Sequence, residues 1–194
     1  HAQFTRVIPF NDLAALEAAL SPDDVACLLA EPALTNFGLV PPAAGYWEQA
    51  RALCRRHGTL FVMDETHTIS SALGGHARAH ALDPDLLVVG KAVAGGLPCA
   101  VYGFTQAVAQ RMADAKRAAP EGHSGIGTTL AGNTLTLAAL DAALTHLHTE
   151  ANYAHMLALA ATLEDGLVQR IAVAGRPWTV TRLGARLELQ FMPH

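Results

Sequence analysis

Asp64 closes the apolar run Leu60-Phe61-Val62-Met63, and Lys91 follows a second run, Leu86-Leu87-Val88-Val89, after a single glycine. The segment between them has a size that fits a crossover connection in a parallel sheet. If both runs are buried parallel strands, a carboxylate and an amine emerge at one carboxyl edge, where open α/β sheets hold their ligands. An amine there can carry an aldehyde as a Schiff base, and an acid beside it can keep a heteroaromatic nitrogen protonated. Pyridoxal phosphate chemistry requires that pairing. The turn Ala92-Val93-Ala94-Gly95-Gly96-Leu97-Pro98 adds glycines that let backbone come close to a ligand.

Taken singly, neither residue decides the matter. A lysine at a strand end is ordinarily a solvated loop residue, and Asp64 could equally cap a helix or enter a structural ion pair. Glu65 reads better as an ordinary exposed acid than as a second functional carboxylate. His76 and His80 are four apart and could share a helix face, but spacing suggests no third ligand. Hydration of a surface segment is the better reading, and no metal is expected. No Walker loop, GxGxxG fingerprint or serine nucleophile elbow is present.

Composition excludes other classes. The 194 residues suit one domain, or one domain and part of another, and are 51% hydrophobic and 15% charged. No apolar run reaches the ~18–20 residues of a membrane span, so no membrane partner is expected. A net charge of −4 leaves no basic stripe for a phosphate backbone, so no nucleic acid is expected either. Arg51, Arg55 and Arg56, the most basic cluster, read as a solvent-facing helix face. Cys27, Cys54 and Cys99 fit neither a disulfide framework nor a CxxC pair. Cys27 and Cys99 lie in apolar runs and read as buried reduced thiols, hence a cytoplasmic setting. Both ends of the chain, His1 and His194, read as cut from a longer protein.

The elements that must position Asp64 and Lys91 follow from local pattern. A helix capped at Asn11-Asp12 carries Leu13, Leu16 and Leu20 to Ser21-Pro22. Val25 to Ala30 reads as a buried strand stopped at Glu31-Pro32. Pro41-Pro42 opens a helix with the apolar face Trp47, Ala50, Leu53 and Cys54, ended by Gly58. Strands follow at Thr59 to Met63, Leu86 to Val89 and Pro98 to Phe104. Helices run from the Thr105 cap to about Lys116, from Asn133 to about His148 and from Thr149 to about Ala174. Trp178 to Thr181 and Arg186 to Phe191 alternate with period two and read as an antiparallel pair around Gly184.

Four ordered blocks resemble the class III pyridoxal-phosphate aminotransferases, the group of glutamate-semialdehyde aminomutase and the omega-amino-acid transaminases. They are Glu31-Pro32 after a strand, Phe61 to Glu65, Pro84 to Pro98, and Thr129-Leu130-Ala131-Gly132-Asn133 before a helix. The resemblance covers roughly Val25 to Leu147 well and the rest loosely. It implies an α/β fold: part of a fold-type I large domain, a mostly parallel sheet with flanking helices, over 1–148. A linker helix and the start of a C-terminal α+β domain would occupy 149–194.

The resemblance also implies roles. Lys91 would be the Schiff-base lysine and Asp64 the partner of the pyridine nitrogen. Thr129 would bind the cofactor phosphate from the neighbouring subunit of a homodimer, with Thr128 standing where a glycine is common. Thr66 occupies the place of a ring-packing valine or isoleucine. His67 could donate to the phenolic oxygen of the cofactor, and Asn36 stands where relatives keep a side chain near the substrate. The implied reaction is transamination between an amino acid or amine and a 2-oxo acid, using pyridoxal 5′-phosphate. Its rivals are an aminomutase, racemase or decarboxylase on the same scaffold, or a catalytically silent fragment that only assembles with a partner. Relatives supply a phosphate loop, a ring-stacking aromatic and a carboxylate-binding arginine from segments outside this chain, so the activity of the isolated chain stays open.

Overall fold

The two apolar runs do pair in parallel. In a computed structural model, which describes residues 2–122, 127 and 129–193, β1 (Cys27–Ala30), β2 (Leu60–Asp64), β3 (Leu86–Val89) and β4 (Val101–Phe104) form one sheet in that order. β1, β2 and β3 are parallel, and β4 runs antiparallel to β3. The helices are α1 (Leu13–Leu20), α2 (Tyr46–Arg56), α3 (Gly75–Ala79), α4 (Gln106–Ala118), α5 (Thr134–His146) and α6 (Glu150–Val173). A separate antiparallel ribbon joins β5 (Thr179–Leu183) to β6 (Arg186–Gln190). Asp12, Thr105, Asn133 and Thr149 each cap a helix with a side-chain oxygen.

Alternation in β2 sends Phe61 and Met63 to one face. There they pack with Leu16 and Leu20 of α1 and with Trp47, Ala50, Leu53 and Cys54 of α2. A second, smaller core gathers Val89, Val93 and Ala94 against Ala139 and Leu140 of α5. The opposite sheet face leaves Leu29, Tyr102 and Phe104 exposed. That overturns two expectations. β1 is not a buried strand, because it lies at the sheet edge and only its α1/α2 side is covered. For the same reason Cys27 is exposed, while Cys99 is partly exposed and Cys54 alone is buried.

The second helix starts at Tyr46, later than the proline pair suggests. An antiparallel bridge between Leu34 and Val40 keeps the chain extended into Pro41, and Gly45 turns it at φ +73°. The basic face of α2 is not simply solvated. Arg51 forms two hydrogen bonds to Asp85, 2.6 and 2.9 Å, and lies over the Phe61 ring. Asp85 also accepts from Phe61 N at 2.8 Å, which ties α2 to the starts of β2 and β3. Burial by itself would raise the Asp85 carboxyl. The Arg51 guanidinium and the Phe61 N–H outweigh it and hold the group below its usual range.

Two further expectations fail at α3. Glu65 is fully buried, not exposed, and accepts from Thr68 Oγ1, from His76 N at 3.1 Å and from Ala77 N at 2.5 Å. It satisfies amide groups at the start of α3 that have no partner within the helix. A Cβ on Gly75 would sit 2.8 Å from the Glu65 carboxylate, so the glycine leaves room for that acceptor. His76 is likewise buried rather than hydrated, and its ring stacks on His80 at 4.0 Å.

Burial pushes the His76 imidazole down to about 4. The unfolded chain then binds a proton that the native state refuses between that value and ~6.5. Stability is expected to fall on acidification through this window, by up to about 1.4 kcal/mol per pH unit. Chemical unfolding of wild type and His76→Phe at several pH values measures the effect, and equal slopes in the two would contradict it.

The β5–β6 ribbon seats on a 3-10 turn, Thr68–Ser71, that follows β2. Gly184 makes this possible: at φ +61° a Cβ would lie 1.9 Å from Ser71 O. Tyr153 Oη of α6 donates to Ile69 O at 2.8 Å in the same turn. Among the described residues no helix is long and apolar enough to cross a membrane.

Candidate active site

Parallel register sets Asp64 beside Val88, so Asp64 and the segment Gly90-Lys91 leave the sheet at the same edge. Asp64 Oδ1 accepts from Thr66 N at 2.9 Å, a local turn that orients the carboxylate. The Thr66 hydroxyl accepts in turn from Gly90 N at 3.1 Å and so clasps the loop after β2 to the loop after β3. Lys91 itself has φ +49°. A residue with a side chain in that left-handed region costs about 1–3 kcal/mol, and such strain concentrates at functional sites. Here it launches the Lys91 side chain from the first position of a 3-10 turn, Lys91–Ala94.

Lys91 Nζ lies 2.5 Å from His67 Nε2. On the other side of the ring, His67 Nδ1 meets Thr35 Oγ1, and that hydroxyl donates to Glu31 Oε2. The Glu31 carboxylate is 3.7 Å from His67 Nδ1, and Asn36 Nδ2 approaches its other oxygen at 3.5 Å. Arg186 Nη2 of β6 donates to Thr35 O at 2.8 Å and holds this loop in place. Burial lowers the His67 imidazole, and the positive charges of Lys91 and Arg186 lower it further against the opposite pull of Glu31 and Asp64. A neutral ring accepts at one nitrogen and donates at the other, as its two neighbours require.

Lys91 also borders a cavity of about 580 Å³ lined by Ile69, Gly95, Gly96, His148, Tyr153 and Met156, among others. Asp64 and His67 do not line it. The donor set therefore consists of one amine, one carboxylate held from behind, and a neutral imidazole in contact with the amine.

Of the residues singled out by sequence, the structure gathers Asp64, Thr66, His67 and Lys91 at one edge. Asn36 joins them only through Glu31. Thr129 does not: it is exposed in the turn before Asn133, outside the hydrogen-bonded group around Lys91. Thr128 lies outside the described residues. Thr35 and Arg186 have no local signal, and Glu31 stands out only as a strand end and as part of the Glu31-Pro32 block, with no role attached to its carboxylate. A hydroxyl in a loop and an arginine in a hairpin acquire meaning only through the chain segments that meet them.

The mixed α/β sheet, with an amine and a carboxylate at its carboxyl edge, is that of the fold-type I pyridoxal-phosphate transferases it superposes on. The family model for class-III aminotransferases matches residues 4–190. The chain belongs to that family. It is 37% identical over 193 residues to glutamate-1-semialdehyde 2,1-aminomutase of Myxococcus xanthus, covering 98% of this chain and 43% of the relative. The crystal structure of a glutamate-1-semialdehyde-aminomutase from Pseudomonas aeruginosa superposes with a TM-score of 0.92 at 49% identity, covering 98% of this chain and 43% of that one. A variant of that enzyme has been solved in complex with PMP. A beta-phenylalanine aminotransferase from Variovorax paradoxus matches at 27% identity and a TM-score of 0.83, over 97% and 43% of the two chains. The chain thus spans somewhat less than half the length of these relatives.

Proposed function

We propose that the protein moves amino groups with pyridoxal 5′-phosphate held covalently at Lys91. The placement of Lys91 and Asp64 at one edge of a parallel strand pair carries this reading. The residues present suit that cofactor, because an amine and a carboxylate oriented by a backbone N–H are what its aldehyde and ring nitrogen need. When bound, the cofactor supplies an electron sink for bonds at the substrate carbon that bears the amino group. Lys91 Nζ holds it in place and, once displaced by a substrate amine, carries the proton taken from that carbon and returns it. The Asp64 carboxylate would hold a proton on the ring nitrogen. Thr66 fixes the distance between the two loops, and His67 is in contact with the attachment amine through Nε2.

The first reaction we assign is transamination from an amino acid or amine to a 2-oxo acid. A second reading, an aminomutase that needs no separate acceptor, is favoured by the resemblance to the Myxococcus and Pseudomonas enzymes. We assign 1–148 to the large domain and 149–194 to the linker helix and the start of the small domain. A homodimer fits the exposed Leu135, Leu137 and Leu144 of α5. The exposed Thr129 lies just before that helix, where its hydroxyl could reach a phosphate bound in the neighbouring subunit.

Lysine mapping tests the attachment. The chain contains two lysines, Lys91 and Lys116, and the second is exposed near the end of α4. Borohydride reduction in the presence of pyridoxal phosphate, followed by peptide mapping, is expected to label Lys91. Label on Lys116 alone would contradict the assignment. Product analysis with and without an added 2-oxo acid then separates the two reactions, because only transamination depends on the acceptor.

A further inference from the structure

Lys91 is joined to Glu31 by an unbroken line of polar atoms. Its Nζ touches His67 Nε2 at 2.5 Å, His67 Nδ1 touches Thr35 Oγ1, and that hydroxyl donates to Glu31 Oε2. Every link has one direction that works. Lys91 has only N–H groups to offer while protonated, so Nε2 accepts and Nδ1 carries the ring hydrogen. Nδ1–H then donates to the threonine oxygen, whose own hydrogen points to the carboxylate. Thr35 is 4% exposed, whereas the Glu31 side chain is 24% exposed. The line therefore runs from the amine through a nearly dry hydroxyl to a group that water reaches.

An amine attacks an aldehyde only through its lone pair, so the lysine must lose a proton each time the covalent attachment is made. We propose that His67, Thr35 and Glu31 form a proton relay that draws this proton from Lys91 Nζ and delivers it to the Glu31 carboxylate. The proposal rests on Lys91 being the attachment amine. One proton leaves Nζ for Nε2, the Nδ1 proton moves to Thr35 Oγ1, and the threonine proton moves to Glu31 Oε2. Lys91 becomes a neutral amine, Glu31 a carboxylic acid, and His67 and Thr35 end as they began with their hydrogens shifted. No electrons are exchanged, and Glu31 releases its proton to solvent.

The charged and titratable groups around the relay come from each element packed on it. Glu31 follows β1, Asp64 ends β2, Arg186 lies on β6, and His148 and Tyr153 share the cavity that Lys91 borders. The two cations nearest the ring, Lys91 and Arg186, favour its neutral form, and a neutral imidazole is able to take the proton. Arg186 serves as a positioning residue, because it holds the backbone of Thr35 rather than any proton on the path.

The rate of attachment tests the relay without any turnover. Pyridoxal phosphate is mixed with the protein from neutral to alkaline pH, and borohydride quenching at intervals measures adduct formed at Lys91. His67→Gln can keep two hydrogen bonds but moves no proton. It is expected to slow attachment on the order of 10²-fold near neutrality, with the gap closing as the pH rises. Added imidazole should recover the rate. Thr35→Val, nearly isosteric at a buried position, should show the same gap even if the histidine variant fails to fold, and Thr35→Ser should recover what the valine loses. Slowing that is equal at every pH and untouched by imidazole would mean that His67 only holds the lysine, and the relay would be overturned. So would unchanged rates in both His67→Gln and Thr35→Val. Adduct on Lys116 alone in the unsubstituted protein would overturn the attachment reading, and the relay with it.

Discussion

Lys91→Ala is expected to abolish borohydride-reducible attachment of pyridoxal phosphate and to lower turnover by about 10⁴-fold or more. The methyl group removes both the covalent anchor and the amine that carries the substrate proton, and a positioned general base alone is worth roughly 10²–10⁴-fold. Lys91→Arg should lose as much, because a guanidinium keeps the charge but offers no free amine. The fold should survive both changes. Lys91 is exposed and stands at φ +49°, so no core contact depends on its side chain. Steady-state rates, together with the trapped adduct, check the prediction. A Lys91→Ala protein that still formed a reducible adduct at its own active site would falsify the assignment.

The second large effect concerns stability. Glu65→Ala is expected to cost about 3–5 kcal/mol, because it strips the acceptor from two buried amides and from the Thr68 hydroxyl. For a chain of this size that corresponds to a fall in Tm of roughly 10 °C. Glu65→Gln keeps one carbonyl acceptor but turns an amide N–H₂ toward donors, so its loss should be intermediate. The damage should also reach the ribbon, since Gly184 rests on the turn that Glu65 anchors through Thr68. Thermal unfolding of the two variants measures it. An alanine variant within about 0.5 kcal/mol of wild type, the range of ordinary surface changes, would show that water replaces the carboxylate without cost.

Asp64 and Glu65 are neighbours with opposite fates, and they show what local pattern can and cannot reveal. Both follow the same apolar strand, and alternation was enough to place one of them at the sheet edge beside Lys91. The reach of Glu65 into α3 depends on a glycine and two amides ten to twelve positions further on. α3 has five residues, too short for a periodic signal, so His76 reads as a hydrated surface residue when it is in fact buried. Arg51 was misplaced for a related reason. Its helix face looks polar in isolation, and only the arrival of Asp85 from the turn before β3 makes that face an ion-paired interior.

The residues alone determined the strands, the four side-chain helix caps Asp12, Thr105, Asn133 and Thr149, and the shared edge of Asp64 and Lys91. Those features arise from backbone preferences and alternation within a few residues, and the crossover between β2 and β3 leaves little freedom. Tertiary structure decided what surrounds the amine. Glu31 and Thr35 lie four positions apart in the loop after β1, Arg186 lies 155 positions beyond Glu31, and no local preference encodes the meeting of those two segments at His67. It follows from the packing of the β5–β6 ribbon onto the turn after β2. That packing brings Arg186 to the Thr35 loop and sets the threonine hydroxyl between a carboxylate and the imidazole that touches Lys91.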